Sequence, residues 1–316
     1  MRVLALVLAL ACTSVALAQV PAGRPPRAQT QPADYVLPDG VSRSVFFAVA
    51  PDGALFGSSF NQLLALRHGQ PARAIGIEID PTAGTRAVGG DGRLWWFDRG
   101  AEVMRTDFAG QADAAPLAGP ALAIAADGVH TDVLESNTIE SFDRAGGVHR
   151  IPLGRTIRRA SIAALPNAIL VAAEGVAGII RIDRSDRVEL LKLEGNLRPG
   201  TLRVVGNTVW FSLRTAANVP LRRIGRVHDR VIQTVDLATF APIVDVGAGA
   251  ADRFIAIESF DVYGVVSIAG ELACERSIGS GIPPSVIAQV FIDSLGATYL
   301  TTSRIPTFVK ITDACR

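Results

Sequence analysis

A repeated unit is the feature of this sequence that most constrains its fold. From about residue 44 onward, short apolar runs alternate with polar or glycine-containing turns, and the pattern recurs seven times. The central turns of the repeats are Asp52-Gly53, Asp91-Gly92, Asp127-Gly128, Pro166-Asn167, Gly206-Asn207, Asp252 and Leu295-Gly296. Their spacing of about 36 to 45 residues is typical of four-stranded β-propeller blades. One such unit cannot bury its faces alone, so neighbouring units must pack against each other.

The third repeat illustrates the strand pattern within one unit. Its apolar runs cover residues 121–127, 130–136, 138–143 and 148–153, and turn residues separate them. These runs are too short for ordinary helices, and an Asp-Gly pair provides the positive φ that a tight hairpin needs. The sequence therefore predicts an all-β fold, in which residues 35–316 form one β-propeller of seven four-stranded blades.

The last repeat contains only three apolar runs, at residues 286–293, 297–302 and 307–312. A strand from the N-terminal region would complete this blade and remove an open sheet edge. Tyr35-Val36-Leu37 is the expected donor. A six-bladed propeller is the alternative, if the long sixth repeat does not form a blade.

The N-terminal region reads as a targeting segment followed by a linker. Residues 1–18 combine Arg2, an apolar stretch and the small-x-small sequence Ala16-Leu17-Ala18, which predicts a signal peptide and a periplasmic or secreted protein. Cys12 after Leu10-Ala11 leaves lipoprotein anchoring as an alternative. Residues 19–34 are rich in Pro, Gln, Ala and Arg, which predicts a flexible linker.

Charge and cysteine content limit the expected partners. The chain has 31 basic and 30 acidic residues, so no excess positive charge favours nucleic acid. We expect a monomer without a transmembrane segment in the mature chain. Cys274 and Cys315 form an even pair in an exported protein and predict a disulfide. Two separate buried thiols are the alternative.

Three of the repeats resemble a known propeller family. Residues 48–56, 89–97 and 206–211, together with residues 222–227, are similar to the repeat of streptogramin (virginiamycin B) lyases. Related patterns occur in NHL-type and SMP-30-type propellers. The resemblance lies in positions that build blades, so it supports the fold more than an activity.

The lyase resemblance implies a divalent metal and a histidine base at the start of a first strand. The four histidines, His68, His130, His149 and His228, do not occupy those positions. His130 begins a predicted second strand and precedes Asp132 and Glu135, so these residues are a candidate polar set in one blade. A structural histidine is the alternative.

Carboxylates recur where the predicted second strands end. These candidates are Asp98, Glu135, Glu174 and Glu258. An acidic ring on one rim would bind a basic partner or a divalent cation such as Mg²⁺ or Ca²⁺, with His130 as a further candidate ligand. Solvated loop charges are the alternative.

Two functions follow from these observations. The first is an exported propeller that binds a protein, peptide or other cell-envelope ligand as a scaffold. The second is a divergent metal-dependent carbon-oxygen lyase or lactonase. The absence of the expected histidine pattern favours the binding function, and the sequence does not identify the ligand.

Overall fold

The described part of the chain consists of β-strands joined by turns and loops. The computed structural model describes residues 25–32, 44–49, 54–59, 61–79, 86–97, 103–228, 230–249, 252–259, 261–278, 287–292, 297–302 and 309–311. Within these ranges the strands form seven antiparallel sheets, which we number in chain order. In the described part of the chain, no helix has the length and hydropathy needed for a membrane span.

The first strand, β1 (Thr30–Pro32), belongs to the last sheet. Sheets 1 to 4 each contain four consecutive strands. They are β2 (Ser44–Val49), β3 (Leu55–Ser59), β4 (Gln62–Leu66) and β5 (Arg73–Glu78); β6 (Arg86–Val88), β7 (Leu94–Phe97), β8 (Val103–Thr106) and β9 (Ala112–Ala114); β10 (Ala123–Ala126), β11 (Thr131–Leu134), β12 (Thr138–Phe142) and β13 (Val148–Pro152); and β14 (Ala160–Leu165), β15 (Ala168–Ala173), β16 (Gly178–Asp183) and β17 (Val188–Lys192).

Sheets 5 to 7 vary this plan slightly. In sheet 5 two short strands share the first position, and in sheet 7 the fourth position is occupied by β1. The strands are β18 (Arg198–Pro199), β19 (Arg203–Val205), β20 (Thr208–Arg214), β21 (Pro220–His228) and β22 (Val231–Asp236); β23 (Ile243–Gly249), β24 (Arg253–Glu258), β25 (Val262–Ser267) and β26 (Leu272–Ser277); and β27 (Ile287–Ile292), β28 (Thr298–Thr302) and β29 (Val309–Ile311).

The hydrophobic cores lie between consecutive sheets. Each of six described clusters joins one sheet to the next, from sheets 1 and 2 to sheets 6 and 7. Trp95 packs between sheets 2 and 3, whereas the adjacent Trp96 packs between sheets 1 and 2. First strands of successive sheets lie side by side from β2 to β27. This arrangement is a β-propeller and confirms the predicted fold class, while the blade number of the whole chain stays a prediction.

The predicted turn chemistry is present in sheet 3. Gly128 has a φ of +85°, and the Asp127 carboxylate accepts the backbone N–H groups of Val129 and His130 at 2.8 and 2.7 Å. Asp143 similarly accepts the N–H groups of Ala145 and Gly147 in the turn between β12 and β13, at 2.8 Å each. Aspartate therefore satisfies the backbone donors of both hairpins.

The N-terminal segment requires a correction. Residues 25–32 fall within the predicted flexible linker, yet β1 pairs antiparallel with β29, and Arg27 forms a parallel bridge with Ser277. Ala28 is buried, and its N–H donates to the Ser277 carbonyl at 2.7 Å. Thr30–Pro32 thus supplies a closing strand for sheet 7. The predicted donor, residues 35–37, lies outside the described residues. Backbone pairing needs no apolar alternation, so the sequence pattern did not indicate Thr30–Pro32.

The cysteine pairing stays a prediction. Cys274 lies on β26, the outermost strand of sheet 6, opposite Val265. Cys315 and Cys12 lie outside the described residues. The predicted signal peptide, residues 1–18, also lies outside them.

Candidate functional site

The propeller has two rims with different connections. At the hairpin rim, first strands turn into second strands and third strands turn into fourth strands. At the crossover rim, second strands turn into third strands and the chain crosses to the next sheet. Glu135 and Glu174 directly follow β11 and β15, and Glu258 ends β24, so all three lie at the crossover rim. Asp98 lies outside the described residues.

Glu135 and Glu258 anchor crossover loops. Glu135 is buried, and its Oε1 accepts the Gly119 N–H at 2.7 Å. Glu258 is fully buried, and its Oε2 accepts the Ala241 N–H at 2.7 Å. Gly119 lies in the loop that leads into sheet 3, which contains Glu135, and Ala241 lies in the loop that leads into sheet 6, which contains Glu258. Both carboxyl groups therefore satisfy backbone donors that are buried or partly buried.

A second carboxylate supports each of these anchors. In sheet 3, Oε1 of the buried Glu140 accepts the Ala118 N–H at 3.2 Å and the Arg150 Nε–H at 2.7 Å. In sheet 6, Glu275 accepts the N–H of Phe240. Burial raises the pKa of Glu258 to about 8, and the nearby Glu275 carboxyl adds to the shift.

Glu174 differs from the two anchors because it is exposed and lines an open cavity of about 470 Å³ between sheets 4 and 5. We call this the rim cavity. Its charged lining residues are Glu174, Arg159 and Arg198, and Ser161 and Thr201 add hydroxyl groups. Within the described ranges, none of the three charged side chains has an ion pair or hydrogen-bond partner. The cavity thus presents charges that the described fold leaves uncompensated.

Close packing at the start of sheet 5 shapes one wall of the rim cavity. Arg198 and Pro199 pair with the end of β20, and the Gly200 N–H donates to the Ser212 carbonyl at 2.8 Å. A Cβ at Gly200 would lie 2.3 Å from the Ser212 Oγ, so only glycine allows this approach. The Leu202 N–H donates to Ser161 Oγ at 2.9 Å and ties this wall to β14.

His130 does not join the carboxylates of the crossover rim, contrary to the candidate grouping. It precedes β11 at the hairpin rim, where its Nδ1 lies 3.2 Å from Asp127 Oδ2. Glu135 follows the other end of the same strand. Five residue steps of extended chain separate the two positions by about 16 Å. The sequence placed both residues in one blade but at opposite ends of a strand.

The hairpin rim contains an ionic cluster that sequence analysis missed, which we call the Arg184 clamp. The Arg184 guanidinium contacts both carboxylate oxygens of Asp132 at 3.0 and 3.1 Å, and Asp127 Oδ2 at 2.6 Å. Both aspartate side chains are fully buried. Arg184 belongs to sheet 4 and the aspartates to sheet 3, so the clamp joins two sheets. A cavity of about 390 Å³ beside it is lined by His130, His149 and Arg184, among others.

Burial alone would raise the pKa of Asp127. The backbone N–H groups of His130 and Val129, the His130 ring and the Arg184 charge outweigh burial and hold this pKa below its usual range. Burial would lower the pKa of Arg184, but hydrogen bonds and charges from Asp132 and Asp127 raise it. These groups therefore remain ionised at neutral pH.

Among the described residues, no three His, Cys, Asp or Glu side chains are grouped so that they could hold a metal ion. The structure therefore does not bring Glu135, Glu174, Glu258 and His130 together as one ligand set. Mg²⁺ or Ca²⁺ binding at the rim stays a hypothesis, as does the lyase or lactonase alternative.

Comparison with known proteins supports the fold. No protein-family model and no curated protein sequence matches the chain. The virginiamycin B lyase of Staphylococcus aureus has a TM-score of 0.67 at 16% identity, covering 90% of this chain and 99% of that one. YCF48 with bound D1 peptide has a TM-score of 0.64 at 9% identity, covering 92% and 99%. BamB from Moraxella catarrhalis has a TM-score of 0.58 at 8% identity, covering 92% and 100%.

These similarities confirm the predicted streptogramin lyase-like β-propeller fold. At such low identities they identify the fold and not an activity.

Proposed function

We propose that this protein is an exported, monomeric β-propeller that binds a peptide or protein ligand of the cell envelope, with the rim cavity as the binding site. The observation that carries the proposal is the set of uncompensated charges at Arg159, Glu174 and Arg198. The other two described candidate glutamates, Glu135 and Glu258, are engaged in anchoring loops. The volume of about 470 Å³ lies within the range of known ligand pockets.

A protein of similar fold supports the type of ligand. YCF48 has been solved with a bound D1 peptide, so a propeller of this general shape can present a peptide site. The rim cavity also suits a peptide in its composition. Its apolar lining consists of small side chains, including Ala160, Ala172 and Pro199, which leave room for an extended segment.

Selection of peptides from a random display library tests the proposal. The bait is the chain without residues 1–18, and the selected peptides are then measured against two variants. Thr201→Trp places a large side chain in the rim cavity, whereas Thr156→Trp changes an exposed residue that does not line it. Urea unfolding of both variants verifies that they fold.

We expect the selected peptides to compete with one another and to lose at least tenfold in affinity for Thr201→Trp. Thr156→Trp should bind them as the unmodified protein does. Peptides that bind Thr201→Trp with unchanged affinity would overturn the assignment of the site.

Export is a separate part of the proposal and rests on residues 1–18. Expression of the full chain in a bacterium, followed by fractionation and intact-mass measurement, tests it. Cleavage after Ala18 and recovery from the periplasm or medium would support soluble export. A diacylglycerol-modified Cys12 would support the lipoprotein alternative.

A further inference from the structure

The rim cavity has a charge pattern that specifies its ligand more closely. Arg159 directly precedes β14 in sheet 4, and Arg198 lies on β18 in sheet 5, yet both line the same cavity. Glu174 contributes one opposing charge, so the three groups carry a formal net charge of +1. Positively charged residues from two different sheets therefore line one cavity.

The neutral groups of the rim cavity also favour an oxygen-rich anion. Ser161 Oγ accepts the Leu202 N–H, so its own O–H remains able to donate a hydrogen bond. Thr201 adds a second hydroxyl, and Asn218 adds an amide. No described aromatic side chain lines the cavity, so stacking against a ring or base has no support there.

We propose that the rim cavity recognises a carboxylate of its peptide ligand through Arg159 and Arg198. This inference rests on the proposed function. Guanidinium groups bind carboxylates through strong, charge-assisted hydrogen bonds that are often bidentate. Glu174 carries a like charge that repels the same carboxylate. Chain ends and acidic side chains both supply this group.

Fluorescence anisotropy with labelled synthetic peptides tests the inference. The parent sequence is one that the display selection has returned, synthesised with a free carboxylate at its C-terminus or with a C-terminal amide. A second pair carries the amide in both members and differs only by one Glu or Gln. The two pairs distinguish a chain end from an acidic side chain as the source of the carboxylate.

The variants give effects of opposite sign. Arg159→Ala and Arg198→Ala should each weaken carboxylate peptides about tenfold, which is the usual effect of losing a charged hydrogen bond. Glu174→Gln should strengthen the same peptides severalfold, because it removes a like charge. Arg158→Ala is the matched control, since Arg158 is an exposed neighbour that does not line the cavity. Its effect should stay within about twofold because an exposed charge that does not line the cavity contributes little.

Several results would overturn carboxylate recognition. They are equal affinity for both members of each pair, an Arg158→Ala effect as large as that of Arg159→Ala, and no gain for Glu174→Gln. If the protein binds peptides with and without a carboxylate equally well, and Thr201→Trp still weakens this binding, the proposed function stands and only this inference fails. If Thr201→Trp blocks nothing, the site itself is wrong.

Discussion

The Arg184 clamp gives the most direct test of the forces that hold adjacent sheets together. Arg184→Met removes the guanidinium group and leaves an unbranched apolar side chain in its place. Asp132 would then lose the only hydrogen bonds that its two carboxylate oxygens make in the described structure. Asp127 would keep the N–H groups of Val129 and His130. The main cost therefore falls on Asp132, whose side chain is fully buried.

Removing one partner of a buried ion pair typically costs about 3–5 kcal/mol, because the remaining charge is buried without compensation. We expect the lower part of this range, since the Arg184 side chain is 21% exposed and water can reach the site. Urea unfolding followed by tryptophan fluorescence measures the free energy of unfolding. Arg187→Met is the matched control, because Arg187 is exposed in the same turn. Its effect should stay within about 0.5 kcal/mol.

The pH dependence separates lost charge compensation from lost packing. The pKa of Asp127 is lower in the folded protein than in the unfolded chain. Its ionised carboxylate therefore stabilises the fold at pH values above the unfolded pKa, and this stabilisation disappears as pH falls through the folded pKa. The Arg184 charge is one of the groups that lower this pKa, so Arg184→Met removes the share of the stabilisation that depends on this charge, and that share is fully present at neutral pH. The loss of unfolding free energy in Arg184→Met should therefore be smaller at pH 4 than at pH 7. Adding Asp132→Asn to Arg184→Met should restore part of the lost stability. A loss below about 1 kcal/mol, or an equal loss at both pH values, would refute this reasoning.

Four further predictions concern other parts of the molecule. Glu258→Gln should gain a few kcal/mol of stability relative to the unmodified protein as pH rises from 5 to about 8, because the fold disfavours the charged form of Glu258 and the raised pKa reports this. Urea unfolding at pH 5, 7 and 9 measures the stability difference, and a difference that does not change with pH would contradict the prediction. Arg230→Gly should stabilise by up to about 1 kcal/mol, because Arg230 has a φ of +67°; thermal unfolding measures the gain, and a lower melting temperature would count against it. Intact-mass and alkylation measurements should find Cys274 and Cys315 joined by a disulfide, whereas two alkylated thiols without reductant would support the alternative. Any saturable rise in melting temperature with Mg²⁺ or Ca²⁺ after EDTA treatment should disappear in Glu174→Gln, because Glu174 is exposed whereas the candidate glutamates Glu135 and Glu258 are buried; persistence of the rise would place the ion elsewhere.

Local turn chemistry made the blades predictable. Asp127-Gly128 combines an acceptor for turn N–H groups with a residue that tolerates positive φ, and both properties act within a few residues. The closing strand was not predictable in the same way. Thr30–Pro32 joins β29 through backbone pairing, and its sequence resembles that of a linker. The pattern that finds strands depends on side chains, which this strand does not need for its pairing.

The candidate site was only partly predictable because its contacts are long-range. The structure places Glu135, Glu174 and Glu258, which follow or end second strands, at the crossover rim. The sequence could not show which carboxylates a crossover loop would bury, since the donors Gly119 and Ala241 lie 16 and 17 residues away. Arg159 and Arg198 likewise line one cavity only because sheets 4 and 5 pack side by side.

Stability measurements distinguish the charged residues that hold the fold together from the charged residues that line the rim cavity. Charges in the Arg184 clamp and at Glu135 satisfy buried partners, so their removal should cost several kcal/mol of folding free energy. Arg159, Glu174 and Arg198 are exposed and satisfy no described partner, so replacing them should change stability by less than about 0.5 kcal/mol. A change in ligand affinity at these three positions can therefore be assigned to binding and not to unfolding. If their replacement instead destabilised the protein as much as Arg184→Met does, these three residues would be structural, and the assignment of the rim cavity as the binding site would be wrong.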